Sequence, residues 1–79
     1  MDIERIDLLA VARYLASEFR DAPARGAIVG RTRMRDALVS RLHSSQLEAE
    51  MLVDTLVMHG FLVLRDSPET ESTWCVRPE

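Results

Sequence analysis

With 79 residues, 47% of them hydrophobic and 29% charged, the chain has the composition of one small globular domain and not of a disordered segment. No apolar run approaches the roughly 20 residues needed to cross a bilayer. The single cysteine, Cys75, rules out an internal disulfide and suits a cytoplasmic protein, and the formal net charge of −3 weighs against a dedicated nucleic-acid binder.

The first predicted element is a helix that Asp2 caps and that ends near residue 20 or 21. The end is set by Pro23, because the residue before a proline disfavours helical geometry. One face carries apolar residues at helical spacing: Leu8, Val11, Ala12, Leu15 and Phe19. A second apolar set lies nearly opposite and predicts a contact between two copies of the chain: Ile3, Ile6, Ala10 and Tyr14.

The middle of the chain predicts a short strand and then two helices. The run AIVG, residues 27–30, suits an edge strand, and Thr32 is the predicted N-cap of a helix of about three turns. Ser45 and Glu48 have capping-box spacing at the start of the third helix, and Gly60 stands where a left-handed C-cap belongs. The predicted inward faces contain Met34, Ala37, Leu38 and Leu42, then Ala49, Leu52, Val53 and Leu56.

The C-terminal segment predicts a hairpin. Residues 61–65 and 72–77 are rich in strand-type residues, and Ser67-Pro68 supplies the turn. We expect Trp74, in the second strand, to close the core and not to project from the hairpin tip. The predicted order is helix, strand, helix, helix, strand, strand, in one α+β domain over residues 1–79.

The segment MRDALVSRLHSSQLEAEMLVDTLVMHGFLVL resembles the winged helix-turn-helix superfamily. The most similar part is LVDTLVMHGFL, with paired apolar residues, a glycine and an aromatic–aliphatic start to a strand; the turn RLHSSQ departs by lacking a glycine. The resemblance implies a small winged helix with a C-terminal wing, acting as a dimeric DNA-binding transcriptional regulator. It also implies base and phosphate contacts from Gln46, Met51, Thr55, Arg31, Arg33, Arg35 and Arg65.

The charge of the third helix favours a different partner. Its outward positions include three acidic residues and no basic one, whereas duplex binding depends on neutralising phosphates. The alternative is a winged helix that binds a protein and not DNA, through an acidic face of the third helix and wing: Glu50, Asp54, Glu69 and Glu71. The arginines around the second helix contact phosphates, pair with these acids or meet an acidic partner protein such as the wing of a neighbouring copy: Arg25, Arg31, Arg33, Arg35 and Arg41.

The sequence predicts neither an enzyme nor a bound metal or cofactor. His43 and His59 are 16 residues apart and lack further Cys or His ligands at zinc spacing. No Ser-His-Asp arrangement or glycine-rich phosphate loop is visible. An apolar strip outside the predicted core either fills gaps or makes an adaptable protein contact: Val39, Met51, Val57 and Met58.

Overall fold

The chain folds as three helices followed by an antiparallel hairpin, a small α+β arrangement. A computed structural model describes residues 6–66 and 71–78. Its elements are α1 (Leu8–Glu18), α2 (Ala27–Leu42), α3 (Gln46–Met58), β1 (Leu62–Arg65) and β2 (Thr73–Val76). The α+β fold class is confirmed, and the predicted turn at Ser67-Pro68 lies outside the described residues.

The first helix begins at Leu8 and is capped by Asp7, whose Oδ1 accepts a hydrogen bond of 3.2 Å from the Ala10 backbone N–H. The predicted cap, Asp2, lies outside the described residues and is too far along the chain to serve this helix end. The helix ends at Glu18, close to the predicted end. Its predicted inward face is confirmed in its middle, where the core holds Val11, Ala12 and Leu15.

The predicted edge strand at residues 27–30 is wrong, because these residues form the first turn of α2. The strand-like pairing lies just before them: Arg25 makes a single bridge to Thr73, and the Gly26 N–H donates to the Ser72 carbonyl oxygen over 2.6 Å. Gly26 is then the N-cap of α2. The predicted cap at Thr32 is wrong for the same reason, since the helix has already begun.

The two predicted ends of α3 are confirmed. The Ser45 side chain accepts from the Glu48 N–H at 3.1 Å, and the Glu48 carboxylate accepts from the Ser45 N–H at 3.0 Å. At the other end Gly60 has φ 79°, and the Phe61 N–H donates to the Leu56 carbonyl oxygen in a Schellman arrangement. The turn between α2 and α3 has no glycine, and His43 adopts the left-handed conformation there, with φ 54°.

The hairpin closes the core over the helices. β1 and β2 pair with Leu64 opposite Trp74, and Leu62 is buried. Trp74 is also buried, as predicted, and its Nε1–H donates to the Gly26 carbonyl oxygen over 3.2 Å. Side chains from all three helices complete the core, chiefly Leu15, Met34, Leu38, Leu52, Val53 and Leu56.

Gly30 packs so closely beneath Trp74 that an added methyl group would lie 2.6 Å from Trp74 Cδ1 and 3.0 Å from the Arg25 carbonyl oxygen. We expect Gly30→Ala to lower the free energy of unfolding by about 1–3 kcal/mol through overpacking. Helix propensity alone predicts the opposite sign, since alanine is favoured over glycine inside a helix by about 1 kcal/mol. Urea unfolding, with Ser40→Ala as the control at an exposed position of α2, separates the two. An unchanged or higher stability would contradict the close contact.

Candidate interaction surface on the third helix

The third helix is apolar on two opposite sides, and the domain covers only one of them. The covered side carries Ala49, Leu52, Val53 and Leu56, all fully buried. Residues 47, 51, 54 and 58 follow helical spacing along the opposite side. Three of them are large and apolar: Leu47 is 71% exposed, Met51 49% and Met58 85%. We call Leu47, Met51 and Met58, together with Asp54 between them, the α3 stripe.

The large exposed apolar side chains of the described residues are confined to two places. They lie on α3 and on the first turn of α2, and comprise Ile28, Val29, Leu47, Met51, Val57 and Met58. Of the apolar strip predicted outside the core, Val39 instead packs against the core, while Met51, Val57 and Met58 are exposed. Clustered exposed apolar side chains rimmed by polar residues are typical of interaction surfaces.

A network of ion pairs joins α2 to α3 along one edge of the α3 stripe. Glu50 bridges two arginines: its Oε2 accepts from Arg31 Nε and Nη2 at 3.4 Å, and its Oε1 accepts from Arg35 Nη1 at 3.2 Å. Arg31 Nη2 also donates to Asp54 Oδ1. Arg31 and Arg35 are four residues apart on α2. Glu50 and Asp54 are also four residues apart on α3, so the two arginines and the two acids have the same spacing along their helices.

The Arg35 guanidinium is held on a second side by Asp36, whose Oδ1 accepts from its Nη2 at 2.9 Å. The hydrogen bond to Asp36 is the largest cause that raises the pKa of Arg35, and the bond to Glu50 adds to it against desolvation. Arg31 and Arg35 each already have carboxylate partners within the domain.

The arginines around α2 do not form one patch. Arg31 and Arg35 face α3, whereas Arg33 lies over the Phe19 ring at 5.5 Å and Arg41 over the Tyr14 ring at 5.4 Å, both on the α1 side. Each stacked guanidinium gains a cation–π contact with a half-buried ring. Of the interpretations left open by the sequence, pairing with the acids of α3 holds for Arg31 and Arg35.

Some of the side chains predicted to contact DNA are exposed, and others already have bonding partners within the domain. Gln46 and Arg65 are exposed, at the start of α3 and the end of β1. The Thr55 hydroxyl is occupied within its own helix, since Oγ1 donates to the Met51 carbonyl oxygen over 2.9 Å. Arg31 and Arg35 are held by carboxylates, and Arg33 stacks on Phe19.

The predicted dimer face on α1 is partly used inside the domain. Ile6 and Tyr14 pack against the core, and the Tyr14 hydroxyl donates to the Ala37 carbonyl oxygen at 3.4 Å. Ala10 is exposed, and Ile3 lies outside the described residues. Ala10, Val11 and Tyr14 line an open apolar cavity of about 180 Å³ together with Leu38, Arg41 and Leu42.

The predicted acidic face is likewise divided. Glu50 and Asp54 lie on α3 and are paired with arginines. Glu69 lies outside the described residues. Glu71 approaches Gly26 at the start of α2, with Oε2 3.7 Å from the position that a Gly26 Cβ would occupy. A carboxylate there interacts favourably with the helix dipole of α2, so this acid has a structural role of its own.

The described residues contain neither a metal-binding cluster nor a membrane-spanning helix. Within residues 6–66 and 71–78, no three His, Cys, Asp or Glu side chains come together in a way that could hold a metal ion. None of the helices in this part of the chain has both the length and the apolar content that a membrane span requires.

Comparisons with known proteins found no matching family model, no matching curated protein and no matching solved structure. Function is therefore inferred from the geometry of α3. Sequence reasoning identified Met51 and Met58 as apolar residues outside the core but missed Leu47 and Ile28. The signal for Leu47 was present, because it stands four residues before Met51 on the side opposite the buried residues.

If the α3 stripe serves an interaction and not the fold, its apolar residues contribute little to stability. Leu47 and Leu52 provide a matched pair, since both are leucines in α3 but Leu47 is exposed and Leu52 is fully buried. We expect Leu47→Ala to change the free energy of unfolding by no more than about 0.5 kcal/mol. We expect Leu52→Ala to lower it by about 2–5 kcal/mol through the cavity that it leaves. Similar losses in urea unfolding at micromolar protein concentration would show that Leu47 belongs to the core.

Proposed function

We propose that the chain is a non-enzymatic winged-helix module that binds protein, with the α3 stripe as its docking surface. One observation carries the proposal. The outward side of α3, which would enter the major groove in a DNA-binding winged helix, is lined by Leu47, Met51 and Met58 and bears no basic side chain.

The electrostatics of this side support a protein partner. Binding to duplex DNA depends on neutralising several phosphates with arginine or lysine. Arg31 and Arg35 form ion pairs with α3. Both are bound by Glu50, and Arg31 is also bound by Asp54. A phosphate that bound Arg31 or Arg35 would have to displace these carboxylates, whose negative charge repels it at short range.

The apolar content of the α3 stripe supports the same partner. Covering a large apolar side chain completely yields about 1.5–3 kcal/mol, so three half- to largely exposed residues offer several kcal/mol to a partner of matching shape. Base edges in the major groove offer apolar contact chiefly at thymine methyl groups. Methionines at positions 51 and 58 can adapt to the contours of a protein surface because their side chains are unbranched.

DNA binding by a small transcriptional regulator is the second candidate. The arrangement of three helices and a hairpin is compatible with a winged helix, for which that use is common. Arg33 and Arg65 are exposed, and neither has a carboxylate partner among the described residues. In this candidate Gln46, Met51 and Thr55 face the bases.

Fluorescence anisotropy with a random-sequence duplex, titrated from low to physiological salt, tests the proposal. We expect no binding by the wild type even at low salt, where the non-specific electrostatic attraction is strongest. The double variant Glu50→Gln/Asp54→Asn removes two negative charges and leaves Arg31 and Arg35 without those partners. We expect this variant to gain weak binding that is lost as salt rises.

The matched control is the double variant Arg33→Ala/Arg65→Ala, which removes the two exposed arginines of the DNA-binding candidate without touching the ion pairs of α3. Wild-type binding that falls steeply with salt and is lost in this control would refute the proposal. It would establish DNA binding through arginines outside the α2–α3 network.

A further inference from the structure

Resting on the proposed function, we propose that the partner of the α3 stripe is a second copy of the same chain. The two copies of α3 pack antiparallel about a two-fold axis, so that the stripe of one covers the stripe of the other.

The spacing of the stripe is symmetric in a way that suits such a dimer. Residues 47, 51, 54 and 58 are separated by four, three and four positions, which reads the same in both directions along α3. In an antiparallel pair centred between residues 52 and 53, Leu47 lies opposite Met58 of the second copy, and Met51 lies opposite Asp54. A two-fold interface requires this self-complementarity, because each contact occurs twice.

The charges beside the stripe favour a second copy over a basic partner. Asp54 is paired with Arg31, and Glu50 with Arg31 and Arg35, which weakens the attraction of both carboxylates for a basic surface. The same pairing allows two identical faces to approach without placing unpaired carboxylates against each other. Asp54, which faces Met51 in this register, stays paired with Arg31 of its own copy, and this polar position lowers the stability of the dimer.

The size of the surface predicts a reversible dimer. The 13 residues of α3 span about 20 Å, and one helix face covers less than the roughly 800 Å² per partner of a standard interface. Ile28, which is 80% exposed, extends the surface at one end. Ile28 precedes Arg31 by one turn of α2, and Met58 follows Asp54 by one turn of α3. Because Arg31 pairs with Asp54, Ile28 and Met58 lie at the same end of the helix pair. We therefore expect dissociation on dilution.

Sedimentation velocity of the wild type and of charged variants tests the dimer and its register. We expect the wild-type mass to rise from 9.0 kDa towards twice that value between micromolar and near-millimolar concentration. Leu47→Glu and Met58→Lys should each weaken association about tenfold or more, since either places a charge opposite an apolar side chain. The combined variant should recover association, because each introduced carboxylate then faces an introduced ammonium group of the other copy.

The substitutions are chosen to leave the monomer intact. An acid in the first turn of α3 and a base in its last turn both interact favourably with the helix dipole. Circular dichroism and thermal unfolding check this for each variant. Amide NMR shifts of the wild-type protein provide a second measurement. On dilution, we expect the shifts of α3 and Ile28 to change and those of α1 to stay constant.

Ala10→Glu is the control, since Ala10 is exposed on the α1 face that the sequence predicted as a dimer contact. It should associate like the wild type. Loss of the dimer in this variant alone, or dilution shifts confined to α1, would overturn the proposal. A wild type that stays monomeric at every concentration would also overturn it. The protein-binding function would still stand in these cases, because only the DNA titration bears on that function.

Discussion

The position of every other group on the candidate surface depends on which side of α3 the domain buries. Ala49, Leu52, Val53 and Leu56 face the core with no accessible surface, and this fixes the rotation of the helix about its axis. A helix that is apolar all round is usually buried all round. Within residues 6–66 and 71–78 only the first side is covered, and Leu47, Met51 and Met58 face outward.

The ion pairs between α2 and α3 then link the fold to the proposed function. Asp54 lies within the α3 stripe and Glu50 at its edge, and Arg31 and Arg35 reach them from α2. Ion pairs near a surface contribute modestly to stability, and their larger consequence here is electrostatic. They pair the charges within and beside the α3 stripe, which leaves its apolar side chains as the main basis for binding a partner.

Local chemistry made the ends of α3 predictable from the sequence. Ser45 with Glu48 forms a capping box, and Gly60 adopts the left-handed conformation required by the Schellman arrangement. The error at residues 27–30 arose from reading a short apolar run as an edge strand: Ile28 and Val29 are exposed on a helix, and Gly30 is buried beneath Trp74. Short apolar runs fit a strand or a helix equally well, and tertiary pairing at residues 24–26 decided between them.

The candidate site was harder to predict than the fold, because its binding properties depend on contacts between side chains of different helices. The sequence placed arginines near the second helix and acids on the third, but spacing alone left phosphate binding and internal pairing both open. The structure divides the arginines by the side of α2 on which each one stands: Arg31 and Arg35 meet carboxylates, while Arg33 and Arg41 meet aromatic rings. The α3 stripe favours a protein partner only because Arg31 and Arg35 are paired. An apolar helix face beside unpaired arginines would still suit a nucleic acid. With its neighbouring charges already paired, the same face suits another apolar surface.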